Sequence, residues 1–591
     1  MKNNYMKWLT KATAGTLMLA GLAACSDTWD EHYDMASTTS TKTLWEQIQE
    51  NDRLKDFASI LERVHYYDSE SKRYENYTYK DLLSGTQTLT VWAPEDGTYD
   101  AAALLQQCEE GTTDEERMAN EYKVEHEFVR NHITRFRTNL AGTGIDSLTM
   151  FSEKVNVLNK DEQTIRGIKI AQSNVAASNG VLHTIAAPLP FHKNLLEFFY
   201  THPQLGKMKE FFQRFDTTYI DKYQSVQGPI VNDEITYVDE VWTTDHQLLS
   251  FFSSYKGNTL RGLNAKLANE DSLYAMVFLT DPAWEQGLEK VSKLFRYRAE
   301  YDSKFDKEKS KTTAVNVDSL QEIEPKLALI QNLAFNARTQ KGLTIENFGV
   351  DADSLISTTY TTIQSPVCNE LFDGKSPEGT SNGYAYVVDN FRFEPSQTFK
   401  KDISVEGEIS YYRETTGTTS GISYIMNELY RNPDVKGSFG NGRILYVTAP
   451  GKTNPTITYN IPNVLSGKYA IKVVLPPSNV LLRDQGTEAK PYKLTFTLKY
   501  YQNATSKTET SARVSKLEII PDPENLKNDT VTLDLKNGST PFTEFPICYY
   551  GISNAAVSLE IKSDVGSSTA EQNKYSKNFF IDEIIFESLE E

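Results

Sequence analysis

The sequence predicts a multidomain α+β chain in which two related mixed domains precede an all-β, jelly-roll-like sandwich. Three observations predict it. Blocks of residues between 42 and 395 recur once in the same order, short strands there alternate with apolar residues at helical spacing, and from about residue 396 the pattern becomes alternating strands separated by Gly, Pro and Asn. At 591 residues the chain is long enough for two to four domains, each with its own core.

Residues 1–24 read as a leader. Lys2, Lys7 and Lys11 precede an apolar run from Ala12 to Ala24 that is short of a membrane span. The run ends in Leu22-Ala23-Ala24-Cys25, which resembles the lipobox of bacterial lipoproteins. The resemblance implies cleavage before Cys25 and acylation of both its sulfur and its new amine, and several acyl chains together make a stable anchor. Ser26, Asp27, Asp30 and Glu31 follow. They resemble the short acidic signal that sends lipoproteins to the outer cell surface in glycan-scavenging Gram-negative anaerobes; as bare chemistry they are a solvated acidic tether, continuing through a polar stretch to residue 41.

Removing the three leader lysines takes the formal net charge from −19 to −22. With no excess of cations to release phosphate counterions, nucleic acid is disfavoured as a partner. Adsorption to anionic lipid is disfavoured too, which leaves the acyl anchor as the contact with the outer membrane. Beyond Cys25 the cysteines are Cys108, Cys368 and Cys548, an odd and scattered set that reads as buried small apolar residues rather than a disulfide framework.

From Lys42 to Val64, the residues Leu44, Ile48, Leu54, Phe57, Leu61 and Val64 fall at helical spacing, with Asn51 and Asp52 as a cap between two segments. Leu89 to Ala93 is a strand entering a turn at Pro94-Glu95-Asp96-Gly97, and Ser178-Asn179-Gly180 is a turn leading a second strand from Val181 to Ala186. Lys42–Leu54 aligns without gaps on Lys193–Leu205, with Lys, Leu, Glu and Leu coincident. Thr90–Asp96 has a counterpart in Met276–Asp281, and Ser178–Ile185 has one in Ser381–Val388. Three matched blocks imply a tandem duplication over 42–192 and 193–395.

The Thr-Val-Trp-Ala-Pro block (Thr90, Ala93, Pro94) and the Ser-Asn-Gly-x-x-His block (Ser178, Asn179, Gly180, His183) resemble the two motifs of fasciclin-like domains. The resemblance implies a small β-sandwich or wedge flanked by helices, in which the strand entering the Ala-Pro turn lies beside the His-bearing strand. It also implies a role in adhesion or matrix contact. The first copy departs from the family at Asp96 and Tyr99, where Asn and Phe are usual. The second copy keeps Ser381, Asn382 and Gly383 but has Leu279-Thr280 for Ala-Pro and Tyr386 for the His. In animal members a Tyr-His segment between the motifs is linked to integrin contact; here Asn131 precedes His132 instead.

Residues 396–591 alternate apolar and polar at Tyr469–Val473, Leu494–Tyr500 and Val531–Leu535, and close with an apolar run from Phe579 to Phe586 interrupted by Asp582 and Glu583. The Gly467–Val474 strand and the closing Phe-Ile-Asp-Glu-Ile run resemble accessory carbohydrate-binding-like modules.

No nucleophile elbow, phosphate loop, dinucleotide fingerprint or metal-ligand spacing is present, and no cofactor or metal is implied. All eight histidines lie at or before His246, and His183 reads as a hydrogen-bonded core residue. Adjacent carboxylates such as Asp582 and Glu583 should point to opposite faces of a strand. The C-terminal region has no Trp, so stacking on sugar there would fall to Tyr411, Tyr412, Tyr424, Tyr430, Tyr500, Tyr501, Tyr549 and Tyr550. Asp-Ser-Leu occurs four times and resembles the acceptor of bacterial periplasmic O-glycosylation, at Ser147, Ser272, Ser319 and Ser354; local turn chemistry explains Asp-Ser equally well.

The expected protein is a non-catalytic lipoprotein on the outer face of the outer membrane. It would capture carbohydrate or glycopeptide, or scaffold an uptake system of the SusC/SusD type. The alternatives are a fasciclin-type adhesin and, more remotely, a hydrolase.

Overall fold

Each half of the duplicated region starts with a helix closed by a capping box. Thr43 Oγ1 accepts from Glu46 N at 3.3 Å while Glu46 Oε2 accepts from Thr43 N at 2.7 Å. In the second half Asn194 Oδ1 accepts from Glu197 N at 2.9 Å and Glu197 Oε2 from Asn194 N at 2.8 Å. Each box satisfies orphan amides of the first turn, which fixes where Leu44–Gln49 and Leu195–Thr201 begin.

The computed structural model describes residues 40–589, apart from 69–70, 72, 232–233, 256–257, 299–316, 339–352, 365–369, 415–421, 427–431, 436–438, 507, 523–528, 534–535, 538–539, 542–543 and 549–556. Two compact units result, Met1–His192 with Thr218–Thr243, and Lys193–Thr217 with Thr244–Glu591. Cys25, Ser26, Asp27, Asp30 and Glu31 lie outside the described residues, as do Cys368, Tyr430, Tyr549 and Tyr550. Among the described residues no helix is long and apolar enough to cross a membrane.

In the first unit a seven-stranded sheet runs in the order Ile133–Arg135, Leu89–Pro94, Gly180–Ile185, Ile168–Ala177, Thr164–Ile165, Val155–Asn159 and Ile145–Thr149. Its centre is the parallel pair Leu89–Pro94 and Gly180–Ile185, buried along both strands. Helices Leu44–Gln49, Lys55–Arg63, Tyr79–Ser84 and Ala101–Glu109 contribute Leu44, Phe57, Leu61, Leu83 and Cys108 to the core it covers. In the second unit Tyr274–Leu279 pairs in parallel with Gly383–Val388, flanked by Ala334–Asn336 and Glu378–Thr380, repeating the order of the first four strands.

The two copies superpose in register as well as in order. Leu89 faces Gly180 as Tyr274 faces Gly383. Counting from these pairs, Phe278-Leu279 stands where Ala93-Pro94 does, which corrects the sequence alignment that put Leu279-Thr280 there. Asp96 and Asp281 then coincide, and both cap the second helix: Asp96 accepts from Lys55 N and Asp56 N at 2.8 and 3.0 Å, and Asp281 from Lys207 N at 2.7 Å.

The C-terminal region is an antiparallel jelly roll. One sheet orders Ile403–Glu406, Glu583–Ser588, Gly467–Leu475 and Asp529–Leu533; the facing sheet orders Thr456–Ile461, Val557–Ser563, Tyr492–Tyr500 and Thr510–Ile519. Taken along the chain these eight strands read 1-8-3-6 and 2-7-4-5, the pattern of two interlocked Greek keys. Alternate residues such as Tyr469, Ile471 and Val473, and Leu494, Phe496 and Leu498, fill the space between the sheets. This sandwich docks on the second mixed domain through backbone bonds. Ser466 N donates to Leu294 O at 2.9 Å and Cys548 N to Arg296 O at 3.0 Å, and Leu465 and Cys548 join the core of that domain.

The carboxamides of Asn179 and Asn382 tie helix to strand in each copy. Each Oδ1 accepts from the first helical amide, Leu44 N at 2.7 Å or Leu195 N at 2.9 Å. Each Nδ2 donates to two carbonyls, Leu83 and Gly85 in one copy and Leu267 and Asn269 in the other. Replacing either with Ala removes three buried hydrogen bonds and should destabilise its unit by about 3 kcal/mol in denaturant titration. Asn179→Asp keeps the acceptor but sets a carboxylate against two carbonyls, so it should be no milder than Asn179→Ala.

Candidate functional site

The fasciclin-type motif residues are structural in both copies. Ser178 N and Ser381 N donate to Lys42 O and Lys193 O at 2.7 and 2.9 Å, docking each turn on the start of the first helix. A Cβ at Gly180 would stand 2.0 Å from Leu89 O, and one at Gly383 would stand 2.1 Å from Tyr274 O, so only glycine lets these backbones meet. Ala93 and Pro94 are buried on the central strand. Thr90 is buried beside them, and its hydroxyl donates to Phe136 O at 2.8 Å and accepts from Thr138 N at 2.8 Å.

The ring of His183 stacks on Trp92, with centroids 4.3 Å apart and planes 11° from parallel. Its Nε2 lies 2.9 Å from Thr138 O and its Nδ1 accepts from Asn174 N at 3.3 Å, which assigns the neutral ring with the proton on Nε2. Burial pushes its pKa down to about 4. His132 is likewise neutral: Nδ1 donates to Phe128 O at 2.7 Å, Nε2 accepts from Leu189 N at 2.9 Å, and burial brings it to about 4. Neither ring is exposed, and Asn131 is buried with its amide on Leu189 O, so the Asn-His pair presents no side chain to a partner. Tyr386, where the second copy replaces His183, is also buried.

The Asp-Ser-Leu serines are all at least partly exposed: Ser147 and Ser354 on strands, Ser272 in a turn, Ser319 in helix Val317–Ile330. Among the tyrosines proposed as stacking platforms, Tyr411 is 71% exposed, but Tyr500 belongs to the sandwich core, where its strand alternation turns it inward. Tyr501 is half-buried beneath the guanidinium of Arg298, 4.0 Å from its centroid.

Two polar constellations on the sandwich were not legible in the sequence. The first is a cleft of 390 Å³ lined by Lys452, Lys493, Lys516 and Lys577 with Asn454, Asp564, Glu571 and Gln572. The second joins Glu406, Glu408 and Asp582. Asp582 and Glu583 were expected on opposite faces of one strand; the strand breaks at Asp582, between Phe579–Ile581 and Glu583–Ser588, and Asp582 turns inward while Glu583 stays partly exposed. Gly440 lets a loop close over the group: its N donates to Asp582 Oδ2 at 3.5 Å, and a Cβ there would stand 2.6 Å from Glu406 Oε2. One oxygen each of Glu406 and Glu408 is buried without a hydrogen bond. Burial, reinforced by the neighbouring carboxylates, pushes Glu406 and Asp582 up to about 7; burial also raises Glu408, against the pull of Arg443 and Arg413. Among the described residues no group of three or more His, Cys, Asp or Glu is placed to hold a metal ion.

No family model matches the chain, and no curated protein matches it. Solved structures overlap it in part. A FAS1 domain pair from the insect cell adhesion molecule fasciclin I shares 12% identity over 54% of this chain and 92% of its own, with a TM-score of 0.17. A CBM35 from Paenibacillus barcinonensis shares 14% identity over 30% of this chain and 98% of its own, with a TM-score of 0.15. The CBM22-1-GH10 modules of a Clostridium thermocellum xylanase, complexed with xylohexaose, share 9% identity over 32% of this chain but only 28% of theirs, with a TM-score of 0.18.

The buried ionisable groups set opposite pH responses in the two units. His132 and His183 titrate lower when folded than unfolded, so the unfolded chain binds more protons between about pH 6.5 and 4 and the first unit loses stability on acidification. Glu406 and Asp582 titrate higher when folded, so the second unit gains stability as pH falls from about 7 toward 4. Calorimetric scans at pH 7.5 and 5.5 should show the two transitions moving in opposite directions, and His183→Gln should blunt the acid loss of the first.

Proposed function

We propose that this chain is a non-catalytic binding and scaffold protein, held at the outer membrane by acylated Cys25, facing the cell exterior and assisting glycan or glycopeptide uptake by a SusC/SusD-type importer. The observation that carries the binding reading is the cleft on the sandwich, whose acids are already engaged. Glu571 accepts from Lys493 at 2.8 and 3.0 Å and Asp564 from Thr495 Oγ1 at 2.7 Å. Lys493, with the amide of Gly566, holds Glu571 below the ordinary carboxylate range. A general acid acting near neutrality needs the reverse shift. What the cleft offers is amide and ammonium donors with a few acceptors, a lining suited to hydroxyl-rich ligands. The anchor reading is supported by Leu22–Cys25, and outward display by Ser26, Asp27, Asp30 and Glu31.

Cys25→Ala should move the protein from membranes to the aqueous phase in detergent partitioning. Proteinase added to intact cells should digest the wild type, and Ala at Asp27, Asp30 and Glu31 should protect it; full protection of the wild type would defeat outward display. Against a glycan array the full chain should bind weakly, at roughly millimolar to micromolar dissociation constants, and Lys452→Ala with Lys577→Ala should weaken it. Binding to matrix protein with no glycan response would favour the adhesin reading. Product formation lost on changing a single carboxylate would overturn the non-catalytic one.

A further inference from the structure

The first mixed domain holds a larger cleft, of 890 Å³, that lies outside the two motifs. On one side stands the hairpin His65–Asp68 and Arg73–Thr78, presenting Tyr66, Asp68, Glu75 and Tyr77. On the other are Ser147 and Thr149 of the outermost strand and the turn through Phe151 and Glu153. Arg130 and Thr134 are buried beneath, and Arg135 and Phe136 are exposed at the edge.

Phe136 is the aromatic of this cleft that packs least against the rest of the domain. It is 76% exposed, so its ring contributes little to any core, and its backbone sits at φ 66°, a left-handed conformation that a bulky side chain adopts rarely and at a cost. That conformation is imposed from the sheet. Phe136 N donates to Thr88 O at 3.2 Å, and the buried hydroxyl of Thr90 bonds both Phe136 O and Thr138 N. Glu153, also lining the cleft, has φ 65°, set by the tight turn in which its N donates to Met150 O and Met150 N to Lys154 O. A left-handed bulky residue on a cavity wall is the kind of stored strain that clusters at ligand sites.

The lining identifies the ligand class. Tyr66 and Tyr77 stack at 5.5 Å and 13°, Arg130 lies over Tyr66 at 5.2 Å while donating to Glu125, and Arg135 lies over Phe151 at 5.8 Å, so these rings form a flank stacked among themselves and the exposed aromatic face of the cleft is Phe136. The carboxylates of Asp68, Glu75 and Glu153 and the hydroxyls of Thr138, Ser147 and Thr149 supply acceptors and donors at the rim. Both signs of charge are present, which offers no gain to a polyanion or polycation. A sugar ring has an apolar C–H face and a hydroxyl edge, and the volume is within the range of small-molecule sites. We propose that this cleft is a second ligand site, distinct from the one on the sandwich, that takes a neutral oligosaccharide with one ring stacked on Phe136.

The test titrates the full chain with cellohexaose and xylohexaose by calorimetry, for the wild type, Phe136→Asn and the sandwich variant Lys452→Ala with Lys577→Ala. Asn accepts a left-handed backbone, so Phe136→Asn removes the ring without breaking the fold. Its melting temperature should stay level or rise by about 2 °C. Affinity for at least one hexasaccharide should fall about tenfold or more in Phe136→Asn. Phe136→Trp should retain it, and the sandwich variant should leave that component unchanged. The proposal is overturned if neither hexasaccharide binds, if binding is lost only in the sandwich variant, or if Phe136→Asn lowers the melting temperature by several degrees. The second of these would leave the sandwich reading standing alone.

Discussion

A single side-chain amide, used twice, organises both mixed domains. Asn179 and Asn382 each sit where a strand begins, and each satisfies one helix amide and two backbone carbonyls that the fold would otherwise bury without partners. Only an amide offers acceptor and donors on one short stem. The glycine that follows removes the Cβ that would hold the neighbouring strand away, so clamp and close approach are one device. From it follow the parallel pair, the register and the placement of the first helix, and through Thr90 on the same central strand the backbone of the segment after Ile133–Arg135.

The duplication was legible because this device needs particular residues at particular spacings. Ser-Asn-Gly and the Thr/Asn-x-x-Glu cap survive in the second copy, whereas the Ala-Pro turn and the His do not. The one-residue slip in matching the strand block has a simple origin: inside a buried strand, Val, Phe, Leu and Met fit about equally well, so local similarity slides until an aspartate cap or a glycine contact fixes it. Strand alternation located the sandwich but not which member of the pair Tyr500 and Tyr501 faces in, because aromatic rings suit both faces. Neither cleft was readable. Phe136 is unremarkable as a letter, and its significance is a backbone angle set by Thr88 and Thr90, far back along the chain.

Buried ionisable groups are partnered in the first unit and crowded with like charges in the sandwich. In the first unit the buried ionisable groups meet partners: His132 and His183 each have both nitrogens matched, and Arg130 meets Glu125 at 2.6 Å, leaving one Glu125 oxygen without a hydrogen bond. In the sandwich, Glu406 and Glu408 retain buried oxygens with no such match. The first arrangement makes a rigid frame for a cleft at its edge. The second concentrates repulsion at the point where the last strand breaks and the loop at Gly440 closes, so that part of the sandwich is sensitive to whatever neutralises carboxylates.

The bonds from Ser466 to Leu294 and from Cys548 to Arg296 bear on how such a protein can change over evolutionary time. Beads on a string are traded by recombination because each brings its own finished surface. Here the C-terminal jelly roll has an unfinished one: Leu465 and Cys548 are completed by the core of the preceding domain, and two of its amides by that domain's carbonyls. A transplanted replacement would have to arrive with a matching apolar spot and a matching pair of donors, or leave both partners frayed. Change is therefore easier at the rims of the existing clefts than by exchanging the sandwich whole.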